Sequence, residues 1–268
     1  KSLYILLKIK PRFVFCFGGY LSLGPGLAST VLNIPLFIHE QNSVAGSANK
    51  LLVYLAKETF EGFPKSFNKN KDNIHFVGNP VRTEITGFDS TGKIEKGSFK
   101  IRLLILGGSQ GSSQVNSLVI EALKEIQNKK DWEVVHQTGK PDEAKIRKLY
   151  GELNLNYKIE SFIENMGQAY KNCDLAISRA GAMTVSELLA TNTPSILLPL
   201  PWATDNHQEF NAKYLEDLGA ARVLKGDNQN INELKSVLTR LINDSEERLL
   251  MVNSAKLAKT QLVTKLIF

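Results

Sequence analysis

The chain has 268 residues, 43% of them apolar and 22% charged, with 33 basic residues against 27 acidic ones for a net charge of +6. That length holds one large domain or two ordinary ones, and the composition excludes a disordered or fibrous polypeptide. The basic surplus fits scattered surface lysines or an anionic partner such as lipid, nucleic acid or a phosphorylated ligand; composition alone favours the first.

Taken in chain order, the opening "KSLYILLKIK" mixes lysines with Leu, Ile and Tyr and begins inside a structured segment, so the chain reads as a fragment whose start is missing. "RFVFCFGG" is a strand and a glycine turn, "GPGLASTVLN" a short helix, "IPLFIHE" a strand, "SANKLLVYLAKE" a helix, and "IHFVGNP" a strand running into a turn. The polar, glycine-bearing "TGFDSTGKIEKGS" is the linker candidate, placed at 87–100. A second series follows. "KIRLLILGGSQGS" is a strand and turn, then "SSQVNSLVIEALKEI" a helix, "WEVVHQTG" a strand and "PDEAKIRKLYGEL" a helix. "YKIESFI" is a strand, "NMGQAYKNC" a short helix, "DLAISRAG" a strand, "AMTVSELLAT" a helix and "PSILLPLP" a strand, and helices at "HQEFNAKYLEDLGA" and "INELKSVLTRLIND" close the series.

Strands that are apolar throughout and alternate with helices predict parallel sheets covered on both faces. The fold class is therefore α/β, with two Rossmann-like domains facing a cleft: residues 1–86, a linker at 87–100, and residues 101–268. Ligands of such sheets bind beyond the carboxyl ends of the strands, where every motif below is found. No apolar run can span a bilayer, and the four histidines show no metal spacing. Cys16 and Cys173 stand in apolar runs, as buried reduced thiols do, which points to a cytoplasmic setting.

Each motif has two readings. "LGGSQGS" lets backbone approach an anion at a helix start, or is simply a tight strand-to-helix turn. In "SRAGAMTVSE", Thr184 and Glu187 have the spacing of a capping box, whereas a free Glu187 carboxylate could accept from ribose hydroxyls. Asp205, Asn206, His207 and Gln208 could read sugar hydroxyls, or Asp205 or Asn206 could cap the following helix. His39 and Glu40 are candidates for general acid or base, with surface solvation the plainer expectation. Arg82 in "VGNPVR" could bind a phosphate or a neighbouring carboxylate.

Together, "HEQNSVAGSANK", "VGNPVR", "LGGSQGS", "SRAGAMTVSE" and "DNHQEFNA", with "GGY" near a "GPG" turn, resemble the MurG-type transferases in order and spacing over most of the chain. Those are UDP-N-acetylglucosamine:undecaprenyl-diphospho-muramoylpentapeptide N-acetylglucosaminyltransferases. The resemblance implies a GT-B fold with the first domain incomplete, and inverting transfer of N-acetylglucosamine from UDP-N-acetylglucosamine to lipid I. It implies no cofactor, no metal and no nucleic-acid partner, and a peripheral place on the cytoplasmic face of the plasma membrane. The lysines and apolar residues of "KSLYILLKIK" fit attachment to an anionic lipid surface or a buried helix-to-strand connection.

Carried over by position, Glu187 resembles the ribose-binding carboxylate, and Met183 and Thr184 the diphosphate donors. Arg179, Ser109 and Arg82 resemble further donor contacts, Ile163 the residue whose backbone reads uracil, and His207 and Gln208 the sugar-reading pair. Many relatives have Gln-Gln where His207 and Gln208 stand. Glu40, Asn42 and Asn49 match acceptor-side positions, and Glu40 is the one candidate base inside this chain. The family's glycine-rich "GGTGGH" loop has no counterpart and is expected to precede residue 1, and "GGYLSLGPGLAS" departs by a residue from the family's "GGYVSGPGG". The alternatives are another GT-B glycolipid glycosyltransferase, a UDP-sugar epimerase, or a non-catalytic UDP-sugar-binding fragment.

Overall fold

A computed structural model describes residues 1–69, 71–86, 101–107, 111–201 and 206–267, with 260–267 described by backbone alone. The linker at 87–100, Ser109 and Asp205 lie outside the described residues.

The first half contains α1 (Ser2–Ile9), β1 (Val14–Cys16), α2 (Tyr20–Val31), β2 (Leu36–Glu40), α3 (Ser47–Leu52), β3 (Glu58–Glu61), β4 (Ile74–Phe76) and α4 (Thr83–Thr86). Its strands form one parallel sheet in the order β1-β2-β3-β4. α2 begins earlier than the glycine-proline turn suggested, and encloses Pro25. A Cβ at Gly26 would come within 2.7 Å of the buried Leu52 Cδ2, so α2 and α3 approach closely there. The helix expected over "SANKLLVYLAKE" stops at Leu52, and the chain turns into β3. β3 escapes the sequence pattern because Glu58 and Glu61 flank it. Glu61 is nonetheless buried and accepts from the Lys65 and Phe67 amides.

The second half contains β5 (Ile101–Leu106), α5 (Ser113–Glu125), β6 (Trp132–Gln137), α6 (Glu143–Tyr150), β7 (Asn156–Glu160), α7 (Met166–Lys171), β8 (Leu175–Ser178), α8 (Ala182–Ala190), β9 (Ser195–Leu197), α9 (His207–Asp217), β10 (Ala221–Val223), α10 (Ile231–Asn243) and α11 (Ser245–Ile267). Its strands form a second parallel sheet in the order β10-β9-β8-β5-β6-β7. β8 is buried at every position, as a strand covered on both faces must be. One core joins the sheet to α5, α6 and α10, and another joins it to α7, α8, α9 and α11. Phe63, Val81 and Ile85 from the first half pack into this second core, so the halves share apolar contact as well as a cleft.

Strand order reverses at β5, whose neighbours are β6 on one side and β8 on the other. In open α/β sheets such a reversal opens a crevice at the carboxyl edge. Leu106 pairs with Ser178 across β5 and β8, which sets Gly107, where the chain leaves β5, beside the start of the "SRAGA" turn at that crevice.

Candidate functional site

The capping box, one of the two readings of Thr184 and Glu187, does not form. α8 starts at Ala182, its N-cap is Gly181 with φ −65° and ψ 145°, and no side chain caps it. Thr184 is therefore already inside the first turn, where its hydroxyl cannot take the N-cap role. Gly181 supplies no side-chain acceptor, so the first N–H groups of α8, including those of Met183 and Thr184, gain no cap from it. An uncapped helix start at a crevice favours negative charge.

Glu187 stands about one turn further along, its side chain 13% exposed. Its Oε2 accepts from the Tyr170 hydroxyl at 3.1 Å, and its Oε1 lies 3.5 Å from Arg82 Nη2. Burial raises the Glu187 carboxyl above its ordinary range, opposed by the Tyr170 hydrogen bond and the Arg82 charge. Arg82 itself is half exposed and also lies 3.6 Å from Glu84 Oε1, so its pairing is loose and solvent-screened.

Arg179 does not project freely. It donates to Leu198 O at 2.8 Å, Pro199 O at 3.4 Å, Ser112 Oγ at 3.2 Å, Gln114 Oε1 at 2.7 Å and Gln229 Oε1 at 3.4 Å. It ties the chain after β9 to the start of α5, and burial makes its charged form less favourable. The Ile163 amide is held by Gln137 Oε1 at 2.9 Å. A cavity of about 590 Å³ beside Ile163 runs along the sheet to Arg102 and Cys173, away from Gly181. His207 opens α9, and Gln208 Oε1 accepts from the Leu200 amide at 2.9 Å. The cap expected at Asn206 is absent as a hydrogen bond. Asn206 holds the N-cap position in the left-handed conformation, φ 52°, and no side-chain cap is made.

On the opposite wall, His39 and Glu40 are buried rather than solvated as the plainer expectation had it. The Glu40 carboxylate accepts from the Asn42 amide (2.9 Å), Asn42 Nδ2 (3.3 Å), the Gly46 amide (3.1 Å) and Asn49 Nδ2 (2.8 Å). A carboxylate surrounded by four donors, three from the loop after β2 and one from Asn49 on α3, shapes the segment from Glu40 to Asn49 and is poorly placed to take a substrate proton. Asn49, fully buried, also donates to the His39 carbonyl. His39 Nε2 donates to the Gly78 carbonyl at 3.0 Å, which leaves Nδ1 to accept from Gln41 Nε2 at 3.2 Å.

Of three site residues that the sequence did not single out, Asn79 and Asn211 bring the walls together and Tyr170 anchors Glu187. Asn79 Nδ2 donates to the Gln41 carbonyl and to Ser186 Oγ on α8, both at 2.9 Å. Asn211 Oδ1 accepts from the Ser43 amide and hydroxyl, both at 2.8 Å, while its Nδ2 donates to Asn42 Oδ1 and the Ala180 carbonyl, both at 3.2 Å. Tyr170 is the third. Asn79 lay within "VGNPVR" and Asn211 one turn after His207 in "DNHQEFNA", so helical spacing could have flagged Asn211. Tyr170 stood in a core-like helix and carried no signal.

Residues 102–267 match the glycosyltransferase family 28 C-terminal domain, and residues 1–61 match the family's N-terminal domain. The chain belongs to glycosyltransferase family 28. It is 40% identical over 252 residues to the UDP-N-acetylglucosamine–N-acetylmuramyl-(pentapeptide) pyrophosphoryl-undecaprenol N-acetylglucosamine transferase of Pseudomonas putida, covering 94% of this chain and 69% of that relative. The Coxiella burnetii protein of the same name is 37% identical over 265 residues, covering 98% and 74%. The crystal structure of Acinetobacter baumannii MurG superposes with a TM-score of 0.81 at 34% identity, covering 95% of this chain and 70% of that one. A UDP co-structure of S. aureus MnaA superposes at 0.63 with 15% identity, covering 94% and 71%, which shows the shared fold alone.

Proposed function

We propose that this family 28 chain transfers N-acetylglucosamine from UDP-N-acetylglucosamine to the muramoyl sugar of undecaprenyl-diphospho-muramoylpentapeptide, with inversion at the anomeric carbon. The observation that carries this reading is the uncapped start of α8 at Gly181, with the Glu187 carboxylate one turn further on. The amides there donate to the diphosphate oxygens, and the helix dipole stabilises the charge that grows on them as the glycosidic bond breaks. Glu187 accepts from ribose hydroxyls, the backbone near Ile163 borders uracil, and His207 and Gln208 at the head of α9 face the sugar. Ser109, outside the described residues, is assigned a further phosphate contact by its position in the sequence. The 40–49 segment, shaped by Glu40, Asn42 and Asn49, forms the acceptor wall, and the base that activates the acceptor hydroxyl is not assigned to Glu40.

The test is calorimetry with UDP on Glu187→Ala. Leaving the ribose hydroxyls and the Tyr170 hydroxyl without their acceptor is expected to weaken binding by about 1–3 kcal/mol. An unchanged affinity refutes the assignment. The same reading places the protein at an anionic lipid surface, supported by α1, which exposes Leu3, Tyr4, Ile5, Leu7 and Ile9 beside Lys8 and Lys10. Among the described residues no helix is long and apolar enough to cross a membrane.

A further inference from the structure

Glu187 is held from two directions by groups of different character. From below comes Tyr170, whose side chain is fully buried in the core that includes Ala176, Val185 and Leu188. Its hydroxyl donates to Oε2 at 3.1 Å. From across the cleft comes Arg82, half exposed and 3.5 Å from Oε1. The first contact is fixed by the core, whereas the second belongs to a half-exposed side chain at a loose 3.5 Å that a ligand can displace. A carboxylate anchored through one oxygen keeps a defined plane and presents the other oxygen to an incoming donor pair.

We propose that Tyr170 is a positioning residue: its buried hydroxyl holds Glu187 Oε2 so that Oε1 meets the ribose hydroxyls of the nucleotide, with Arg82 yielding that oxygen as the nucleotide enters. This rests on the nucleotide reading of Glu187 given above. Tyr170 touches no ligand and acts through the carboxylate alone. The groups facing that carboxylate are Tyr170 from α7 and Arg82 from the turn before α4, with Glu84 behind Arg82. Burial works against the ionised carboxylate and the Tyr170 hydrogen bond works for it. Removing the hydroxyl therefore shifts ionisation of Glu187 to higher pH.

The experiment compares UDP with 2′-deoxy-UDP, which keeps the base and both phosphates and lacks one ribose hydroxyl. In Tyr170→Phe, which keeps the ring and removes one oxygen, UDP affinity at pH 7 is expected to fall about tenfold. Affinity for 2′-deoxy-UDP is expected to change much less, so preference for the ribose shrinks. Raising the pH is expected to restore part of the lost UDP affinity in this variant and to change the wild-type protein less, a response that a packing defect would not give. Glu187→Asp, which retains the charge and draws the carboxylate back from the phenol without touching the core, is expected to lose the same preference. Unchanged ribose preference in folded Tyr170→Phe, or in Glu187→Asp, overturns the proposal. Glu187→Gln separates the two readings. If it leaves UDP affinity intact, the nucleotide assignment of Glu187 fails. If it weakens UDP while Tyr170→Phe does not, only the role of Tyr170 fails.

Discussion

Replacing Asn211 with alanine is the sharpest perturbation of how the two halves are joined. Asn211 is fully buried on α9, and its carboxamide uses both acceptor and donor capacity across the cleft. Of its four partners, the Ser43 hydroxyl and the Asn42 carboxamide are side-chain groups that can turn to water. The Ser43 amide and the Ala180 carbonyl are backbone groups and cannot. Two backbone groups left unpaired in a largely buried place cost about 1–3 kcal/mol each when no water replaces the partner, so a loss near 2–4 kcal/mol is expected with partial hydration. Asn211→Asp is expected to fare no better, because it sets a carboxylate against the Asn42 Oδ1 and Ala180 carbonyl oxygens that the amide now satisfies. The assay is urea unfolding together with amide hydrogen exchange at Ser43. The wild-type Ser43 amide should be protected and the variant's should exchange rapidly. A loss below about 0.5 kcal/mol with Ser43 still protected would refute the claim that this amide couples the walls.

His136 makes a pH prediction. Its ring is buried between Tyr150 Oη at 3.1 Å and Asn116 Oδ1 at 3.0 Å, and burial pushes its pKa down to about 3. The folded state keeps the ring neutral, with Nε2 donating to Asn116, while the unfolded chain takes up a proton below about 6.5. The contribution is thus fully present above pH 6.5 and is lost as pH falls towards 3; about 2 kcal/mol of stability should be gone by pH 5. Ring-nitrogen NMR should find His136 untitrated between pH 5 and 8, and a midpoint inside that window would overturn the assignment. At the other end of the chain, flotation with anionic vesicles is expected to carry the protein in low salt and release it in high salt. Salt-independent behaviour or no binding counts against α1 as a lipid-facing helix.

The strands were legible wherever burial on both faces makes a run wholly apolar, as in "LLIL" of β5 and "LAIS" of β8. They were not legible where function or loop architecture places a carboxylate in the strand, as in β3 between Glu58 and Glu61. β10 is three residues long with Arg222 at its centre, and Arg222 pairs with Glu247 of α11 at 2.7 Å. Too short and too polar to register as a strand, it is made by tertiary contact. The site was readable as a set of turns because glycine and polar residues cluster where strands end. The capping-box alternative fails for a reason of register. Thr-x-x-Glu spacing is independent of where the helix begins, and the glycine at 181 moves the N-cap three residues upstream of Thr184. Contacts that join the halves, such as Asn211 to Ser43, span sequence separations of 168 residues and leave no local trace.

The two helix starts at the crevice differ in a way that bears on what the site takes. The start of α5 is closed by its own N-cap, with Ser112 Oγ accepting from the Val115 amide, and it has Arg179 bonded to Ser112 and Gln114. A guanidinium at the positive end of a helix is an unfavourable arrangement in the free protein. All five of the hydrogen bonds described for Arg179 go to uncharged oxygens, so nothing among them neutralises it. The start of α8 lies beside it without a side-chain cap, and Arg82 reaches in from the other wall. Two helix starts and two guanidiniums therefore lie at one crevice, and among the described residues the carboxylates beside them are Glu187, a turn into α8, and Glu84, loosely paired with Arg82. A neutral sugar or a nucleoside would leave that charge uncompensated. In the proposed reading a diphosphate would compensate it, and would do so better as the sugar departs and the negative charge on the phosphate oxygens grows, which is the condition for faster transfer rather than tighter binding.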